Sequence, residues 1–420
     1  MAIILNSADP AIVRGIKTVG VGKKGSQDLD PELAREIAED IKAGKISPVA
    51  AGAFFGGLLN KGVAPSEFIL EQAFAPGIFQ NSLQFMNALA PDAPKAIKNI
   101  CVRLLQKEPL DFATAYQLGK FLLSQEPGDA ARGFAVSTLR VRYETDDEYA
   151  GILKSLQETI AGPFRQPVAP GDPLVQLAEP FDGVDHSYIT TPLLAQYVQS
   201  LGYRVINLVG RNSGPKVGNN LLDLAKALQI PLAAGNADLK NSKPSYGWYF
   251  NQENLSAPLD HWVELRRQTV KRPCFATLEK FLNPAQAQII ITSAFHPPYS
   301  EKMTTVAERA GFPASIVIRN GLEGTLAFPL MRPVKILCSA RQKDGTYQRG
   351  ELTVDPEMYL SAKIAVEEKL TNPSLAENVK LVQEFQRSGH TANELFDARV
   401  KISCQGLKLA LDWVAKNLAA

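Results

Sequence analysis

Apolar residues recur at helical spacing in the first part of the chain. Leu33, Ile37 and Ile41 lie four positions apart, behind an Asp30-Pro31 pair that is typical of a helix start. Gly44 ends this pattern. Two further helix starts follow, at Ser47-Pro48 and at Pro65-Ser66-Glu67. The pattern therefore predicts three helices between residues 29 and 68.

A second helical segment, which starts at Leu110, resembles the first. Each of its positions follows its counterpart by 81 residues, so that Leu29 corresponds to Leu110, and the match needs no gap. The matched pairs include Gly52 with Gly133, Leu58 with Leu139, Lys61 with Arg142 and Glu67 with Glu148. We infer an internal duplication of a three-helix unit; the alternative is that two amphipathic helical pairs are alike by chance.

The segment before these helices, residues 1–28, shows little apolar periodicity. Its stretch Val19-Gly20-Val21-Gly22-Lys23-Lys24-Gly25 has the glycines of a phosphate-binding loop. It lacks the Gly-Lys-Ser/Thr ending, however, and no strong strand precedes it. We therefore expect a flexible, basic lead-in.

The periodicity changes after a proline- and glycine-rich stretch at residues 161–173, which we interpret as a linker or hinge. Short apolar runs then alternate with helical patterns, which is typical of a mostly parallel sheet covered on both faces. Asp344-Gly345 predicts a hairpin, and residues 356–420 predict three helices. The predicted strands are residues 175–178, 203–209, 288–292, 314–319 and 334–338.

The fold class is therefore predicted to be α/β, with a small all-α domain and a larger, mostly parallel α/β domain. A chain of 420 residues exceeds one ordinary compact domain. The division we expect is a lead-in (1–28), an extra helical unit that is a possible duplicate (29–108), a helical domain that later helices can join (109–165) and the α/β domain (174–420).

Composition and charge exclude few classes of function. The 45 Lys and Arg residues nearly balance the 43 Asp and Glu residues, which neither requires nor excludes a phosphate-rich partner. The four cysteines are scattered without a zinc or redox spacing, so free thiols in a reducing, cytoplasmic compartment are expected. The start lacks the pattern of a signal peptide, and no apolar run is long enough to span a membrane.

Two loops follow the first two predicted strands, and parallel strands place such loops at one ligand-binding edge. Hydroxyl groups before a helix start favour an anion, and glycines allow backbone N–H groups to approach a phosphate. Arg211 and Lys216 are the expected phosphate contacts, the alternative being solvated loop charges. The candidates are Asp182, Gly183, Tyr188, Thr190 and Thr191 in the first loop, and Gly210, Arg211, Asn212, Ser213, Lys216 and Gly218 in the second.

These loops and other motifs resemble the anthranilate phosphoribosyltransferase family, whose fold is that of pyrimidine nucleoside phosphorylases. The resemblance covers roughly residues 110–420 and rests on the order and spacing of the motifs. They are Arg142-Tyr143-Glu144-Thr145 with Glu148 and Gly151, Gly210-Arg211-Asn212-Ser213 with Lys216-Val217-Gly218, His261 with Val263 and Arg266-Arg267, Leu282-Asn283-Pro284, and Gly321-Leu322-Glu323-Gly324.

The chain departs from the family pattern in the first loop. Glu179-Pro180-Phe181 stands where the family has glycines that bind pyrophosphate, and only Asp182 and Gly183 are kept. The acidic pair that holds magnesium in the family is reduced to Glu323, with Gly324 in the second place. Thr191-Pro192-Leu193-Leu194 resembles a branch of the family with the same eroded loop, which is not expected to make anthranilate products.

The resemblance implies a glycosyl or phosphoribosyl transferase with an altered substrate; an active enzyme would be a pentosyl transferase. Its ligand would be phosphoribosyl pyrophosphate or another phosphate-bearing molecule, with magnesium at a weakened site on Glu323. His261, Arg266 and Arg267 would contact a carboxylate or phosphate, or Arg266 and Arg267 would form surface ion pairs. A homodimer through the helical domain is also implied.

Two alternatives to a transferase remain open from the sequence. The first is a non-enzymatic relative that binds single-stranded nucleic acid in an inter-domain groove, the binding proposed for the eroded branch. The second is a scaffold or dimerising protein whose groove is vestigial. The basic patch of the first alternative would consist of Arg211, Lys216, Arg266, Arg267, Lys271 and Arg272.

Overall fold

The computed structural model describes residues 8–20, 22, 25–214, 216, 218–240, 243–295, 297–319, 322–360, 370 and 372–419. These residues form two compact units. The helical unit holds the described residues up to Leu156 together with His261–Ala276, and the sheet unit holds Gln157–Asp260 and the described residues from Thr277 onwards. The domain boundaries expected at residues 28, 108 and 165 stay predictions.

The helical unit is built from short helices whose starts carry the expected caps. The Asp30 side chain accepts hydrogen bonds from the backbone N–H groups of Glu32 and Leu33, and Asp111 accepts one from Thr114. Two 3-10 helices, Pro65–Ala73 and Ile78–Gln80, are interspersed. The α-helices up to residue 157 are α1 (Ala11–Val19), α2 (Pro31–Lys42), α3 (Pro48–Lys61), α4 (Ser82–Leu89), α5 (Lys95–Leu105), α6 (Phe112–Leu122), α7 (Asp129–Arg142) and α8 (Asp146–Gln157).

The expectation of a flexible lead-in is wrong for residues 11–19, because they form α1. Ile12, Ile16 and Val19 are buried and lie at helical spacing. This pattern was missed because the glycine-rich stretch beside it indicated a loop. The helix packs against α2 and α3. Val21, Lys23 and Lys24 of that stretch lie outside the described residues.

Each of the two helical segments that match in sequence contains one buried glutamate, which accepts hydrogen bonds from donors of its own segment. Glu67 accepts hydrogen bonds from the backbone N–H groups of Leu29 (2.9 Å) and Ala64 (2.7 Å) and from the ammonium of Lys61 (2.9 Å). Glu148 receives the same three bonds from the residues 81 positions further on, namely Leu110, Thr145 and the guanidinium of Arg142. Both glutamate side chains are fully buried, so each carboxylate depends on these donors.

The sheet unit contains a seven-stranded sheet in the order β3-β2-β1-β4-β5-β6-β7. The first five strands are parallel and the last two antiparallel, which confirms the predicted mostly parallel sheet. The predicted hairpin is formed by β6 and β7. The strands are β1 (Leu174–Ala178), β2 (Arg204–Val209), β3 (Trp248–Asn251), β4 (Ile289–Ser293), β5 (Ala314–Arg319), β6 (Val334–Arg341) and β7 (Tyr347–Val354).

Helices follow the parallel strands and bury the sheet. All residues of β1 and β4 are buried, as expected for central strands covered on both faces. None of the described helices is both long and apolar enough to cross a membrane. The remaining helices are α9 (Thr191–Ser200), α10 (Leu221–Ala227), α11 (Gln252–Leu255), α12 (Ala257–Thr269), α13 (Phe275–Leu278), α14 (Pro297–Arg309), α15 (Leu375–Ser388) and α16 (Glu394–Asn417), with 3-10 helices at Gly162–Arg165, Asn236–Lys240, Glu279–Phe281 and Pro356–Met358.

The two glutamate networks predict a large, specific loss of stability. Replacing Glu67 or Glu148 by Ala should lower the free energy of unfolding by about 3 kcal/mol, because buried donors then lose their acceptor. Asp28→Ala is the control, since exposed Asp28 also pairs with Lys61 (2.6 Å) and should cost less than about 1 kcal/mol. Urea unfolding followed by circular dichroism measures both; equal losses in the three variants would contradict the prediction.

Candidate functional site

The candidate site lies at the carboxyl edge of the parallel strands. The direction in which the sheet grows reverses between β1 and β4, and α/β proteins bind ligands outside such a reversal. The first loop (residues 179–191) follows β1, the second loop (residues 210–218) follows β2, and Glu323 follows β5. Because these strands are parallel, the three segments emerge on the same side. Pro215 and Val217 of the second loop and Gly321 lie outside the described residues.

The first loop begins with a buried carboxylate at the N-terminus of α9. Glu179 accepts hydrogen bonds from the hydroxyl of Thr191, in the first turn of α9, and from the backbone N–H of Leu326 (2.9 Å). Burial raises the pKa of Glu179, although these bonds and the charge of Lys280 act in the opposite direction. A helix N-terminus favours an acceptor group, and here a carboxyl group of the protein itself lies beside it.

The next two side chains of the first loop also fill space left by glycines. A Cβ atom on Gly324 would lie 2.7 Å from Cγ of Pro180, and one on Gly210 would lie 2.6 Å from the ring of Phe181. The residues that replace the family's glycines are therefore packed into the fold.

The two loops are joined through their backbones. The Val184 N–H donates to the carbonyl of Asn219 (3.0 Å), and Nδ2 of Asn220 donates to the carbonyls of Phe181 (2.8 Å) and Gly210 (2.9 Å). Gly183 has a φ of +79°, and a Cβ atom there would overlap the carbonyl of Gly218. Glycine is thus needed at position 183 for both reasons. The candidates Gly183, Gly210 and Gly218 are therefore brought together.

Lys216 of the second loop forms an ion pair with Glu323. The same carboxylate accepts hydrogen bonds from the backbone N–H groups of His186 (2.8 Å) and Asp185 (3.1 Å) in the first loop. Burial alone would raise the pKa of Glu323, but the bonds from Lys216 and these N–H groups outweigh it and lower the pKa. One carboxylate thus connects both loops with the segment after β5.

Arg211, the other expected phosphate contact, pairs with Asp260 on α12. Its Nε and Nη2 atoms lie 3.1 and 2.8 Å from the two carboxylate oxygens, which is a bidentate arrangement. Asn212 holds the loop turn, since its amide donates to the carbonyl of Gly218 (2.6 Å) and its oxygen accepts from the N–H of Gly214 (3.1 Å). Both predicted cations of the second loop therefore face internal carboxylates.

The hydroxyl candidates divide into two groups. Tyr188 donates to Glu377 at the start of α15 (2.7 Å), and the neighbouring Ile189 N–H donates to Asn378 (2.9 Å), so this end of the first loop is tied to α15. The hydroxyls of Thr190 and Ser213 are buried and have no hydrogen-bond partner within the part of the chain that the structure describes. Asp182 is also buried in the first loop.

The remaining candidates lie in the helical unit, on α12 and after it. His261 is exposed, Arg266 is buried, and Arg267 pairs with Glu264 (2.9 Å). Lys271 directs its ammonium at the Ser137 hydroxyl (3.1 Å), and burial together with the charge of Arg140 lowers its pKa to about 7. The four cysteines are buried free thiols, as expected.

Sequence reasoning missed two carboxylates that define the site. Asp260 gave no signal, because it is a single acid within a helical pattern and far from Arg211 in the chain. Glu179 was recognised only as a departure from the glycines of the family pattern. The hydroxyl of Thr191 at the predicted helix start was the signal for its role, since a buried acid favours such a donor.

The buried state of Glu179 gives a prediction with a defined sign. Because its pKa is raised above the ordinary 4.5, the folded protein holds the proton more tightly than the unfolded chain. The contribution of Glu179 to stability should therefore be largest at acid pH and decrease as the pH rises above about 4.5 towards the raised pKa. Glu179→Gln, which keeps an acceptor, should remove this dependence, whereas Glu179→Ala should lose about 2 kcal/mol because the Leu326 N–H is left without its acceptor.

Melting temperatures of the wild type and the two variants from pH 4 to pH 8 measure this effect. Parallel pH profiles for the wild type and Glu179→Gln would contradict the prediction.

Comparisons with known proteins give the same resemblance as the sequence motifs. No family model matches the chain. It is 27% identical over 230 residues to an uncharacterized protein of Aquifex aeolicus, a match that covers 55% of this chain and 68% of that protein. It is 25% identical over 262 residues to the anthranilate phosphoribosyltransferase of Geobacillus stearothermophilus, covering 61% and 73%.

Solved structures show the same fold. The anthranilate phosphoribosyltransferase of Thermus thermophilus matches with a TM-score of 0.55 and 19% identity, over 77% of this chain and 99% of that one. The Saccharomyces cerevisiae enzyme in complex with phosphoribosyl pyrophosphate and magnesium matches with a TM-score of 0.61 and 10% identity, over 76% and 90%. These relatives give no support to the nucleic-acid-binding alternative. The chain is similar in sequence to the anthranilate phosphoribosyltransferases and has their fold, as the motifs predicted.

Proposed function

We propose that the sheet unit binds a phosphate-bearing sugar of the phosphoribosyl class on the second loop. The observation that carries this proposal is the position of Lys216. It lies on a glycine-containing loop at the carboxyl edge of the sheet, and its counter-charge is the single carboxylate Glu323. A phosphate offers several charged acceptor oxygens and can replace that carboxylate. Of the similar structures, the yeast enzyme is in complex with phosphoribosyl pyrophosphate.

The first loop limits which ligand fits. Glu179 places a carboxylate at the N-terminus of α9, and Pro180 and Phe181 pack where the family's glycines would approach a pyrophosphate. A second anionic group at that place would meet repulsion and closed packing. The ligand we propose therefore presents its phosphate to the second loop, and ribose 5-phosphate is the simplest probe of that chemistry.

The described side chains do not fit a magnesium ion held by the protein. Glu323 already accepts three hydrogen bonds, its neighbour is Gly324, and no group of three candidate metal ligands exists within the described residues. Magnesium prefers one or two carboxylates beside phosphate oxygens and keeps several waters. Any magnesium at this site would therefore arrive with the ligand's phosphates.

A matched pair of lysine variants tests the proposal. Lys216→Ala should weaken the binding of ribose 5-phosphate about tenfold or more, because one charge-assisted hydrogen bond is lost. Lys226→Ala removes an exposed lysine of α10 and should leave binding unchanged. Isothermal titration calorimetry measures both. Absent binding by the wild type, or an equal loss in both variants, would overturn the proposed function.

Replacing Glu323 shows whether its carboxylate competes with the ligand for Lys216 or holds a magnesium ion. Glu323→Gln should strengthen ribose 5-phosphate binding several-fold, because Lys216 no longer has a competing anion. Adding magnesium should change neither the wild type nor the variant. Glu351→Gln is the control, since Glu351 is also paired with a lysine but lies on β7. A magnesium-dependent gain in the wild type that Glu323→Gln abolishes would show that Glu323 holds metal.

A further inference from the structure

Helices α3 and α7 of the helical unit approach each other through glycines in a reciprocal way. A Cβ atom on Gly52 of α3 would overlap the carbonyl oxygen of Ala130, and one on Gly133 of α7 would overlap the carbonyl oxygen of Val49. Gly133 follows Gly52 by 81 residues, and Ala130 follows Val49 by the same distance. The two contacts are therefore one contact with the partners exchanged, which is what a two-fold axis produces.

The centre of this interface has the same property. A Cβ atom on Gly56 would lie 3.2 Å from Cβ of Ser137, and these two positions are themselves counterparts. A contact between counterparts lies on the axis of a two-fold pair. Ser137 also donates to the carbonyl of Ala53 (2.6 Å), and Thr138 donates to the carbonyl of Gly56 (3.4 Å), so the helices are joined by hydrogen bonds as well.

The correspondence extends beyond the two helices. Helix α7 begins and ends 81 residues after α3, and α6 begins 81 residues after α2. The buried glutamates Glu67 and Glu148 accept bonds from corresponding donors. The first helical repeat (residues 29–73) and the second helical repeat (residues 110–157) thus share one arrangement and contact each other through α3 and α7. Their third helices differ, since Pro65–Ala73 is a 3-10 helix and Asp146–Gln157 is an α-helix.

We propose that α3 and α7 present one self-pairing surface and that the first helical repeat fills, within the same chain, the place of a second copy. The partner that fits the α7 face is therefore another α7 from a second copy of this chain. In the intact chain both faces are used, so this surface should not produce a dimer. The family resemblance predicts a homodimer through the helical domain, whereas this proposal predicts that α3 and α7 form none in the intact chain, so the mass of the wild type distinguishes the two.

Three glycine variants of the full chain test this inference. Gly52→Leu adds a side chain that overlaps the backbone at Ala130, which cannot yield, so α3 should leave α7 while the α7 face keeps Gly133. Two chains should then pair through α7. Gly133→Leu should act in the same way and leave α3 free to pair. The double variant has no intact face and should stay monomeric.

Light scattering after gel filtration measures these masses. We expect about 45.7 kDa for the wild type, twice that mass for each single variant, and the monomer mass for the double variant. Single variants that keep the wild-type circular dichroism and stay monomeric would overturn the proposal. A double variant that dimerises as readily as the single ones would overturn it as well.

Cross-linking keeps the test decisive if the leucine variants unfold. Ser137 lies on the proposed axis, so Ser137→Cys combined with the milder Gly52→Ala should form a disulfide between chains. The native cysteines are buried, so they should contribute little background. An interchain disulfide in Ser137→Cys alone, or none in the combination with Gly52→Ala, would contradict the proposal.

Discussion

One ion pair, Lys216 with Glu323, holds the carboxyl edge of the sheet in its present form. The Glu323 carboxylate is shared between the ammonium of the second loop and two backbone N–H groups of the first loop. Removing any one of these donors would leave the partly buried charge of Glu323 less compensated and would destabilise the folded protein. The loops are therefore closed by the protein's own charges, and a ligand has to compete with them rather than enter a free cradle.

Two similar contacts occur nearby. Arg211 pairs with Asp260, and Glu179 accepts a hydrogen bond from Thr191 at the N-terminus of α9. In each case an internal carboxylate takes a position that a phosphate oxygen would favour. Such an arrangement stabilises the loops at the expense of affinity for outside anions, which is consistent with the departures of the first loop from the family pattern.

The fold was largely predictable from the sequence, because buried strands and amphipathic helices leave periodic patterns. Strand β3 was missed: it has only four residues, at the edge of the sheet, and the run Trp248–Asn251 has no alternation. The position of the two loops was also predictable, since it follows from strand order. The partners of Lys216 and Arg211 were not, because they lie 107 and 49 residues away in the chain and no local pattern links them. For Glu67 and Glu148 the sequence did show a relation, because the two residues are matched by the 81-residue repeat. Their shared role as buried acceptors became clear only from the structure.

The packing of the first loop has a consequence for its tolerance of substitution. Glu179, Pro180 and Phe181 each fill a different place, against Thr191, Gly324 and Gly210 respectively. Replacing any one of them by glycine would open a void or leave a donor without its acceptor, while the other two side chains would stay in place. The shape of the first loop therefore depends on three separate contacts, and no single substitution is expected to open it.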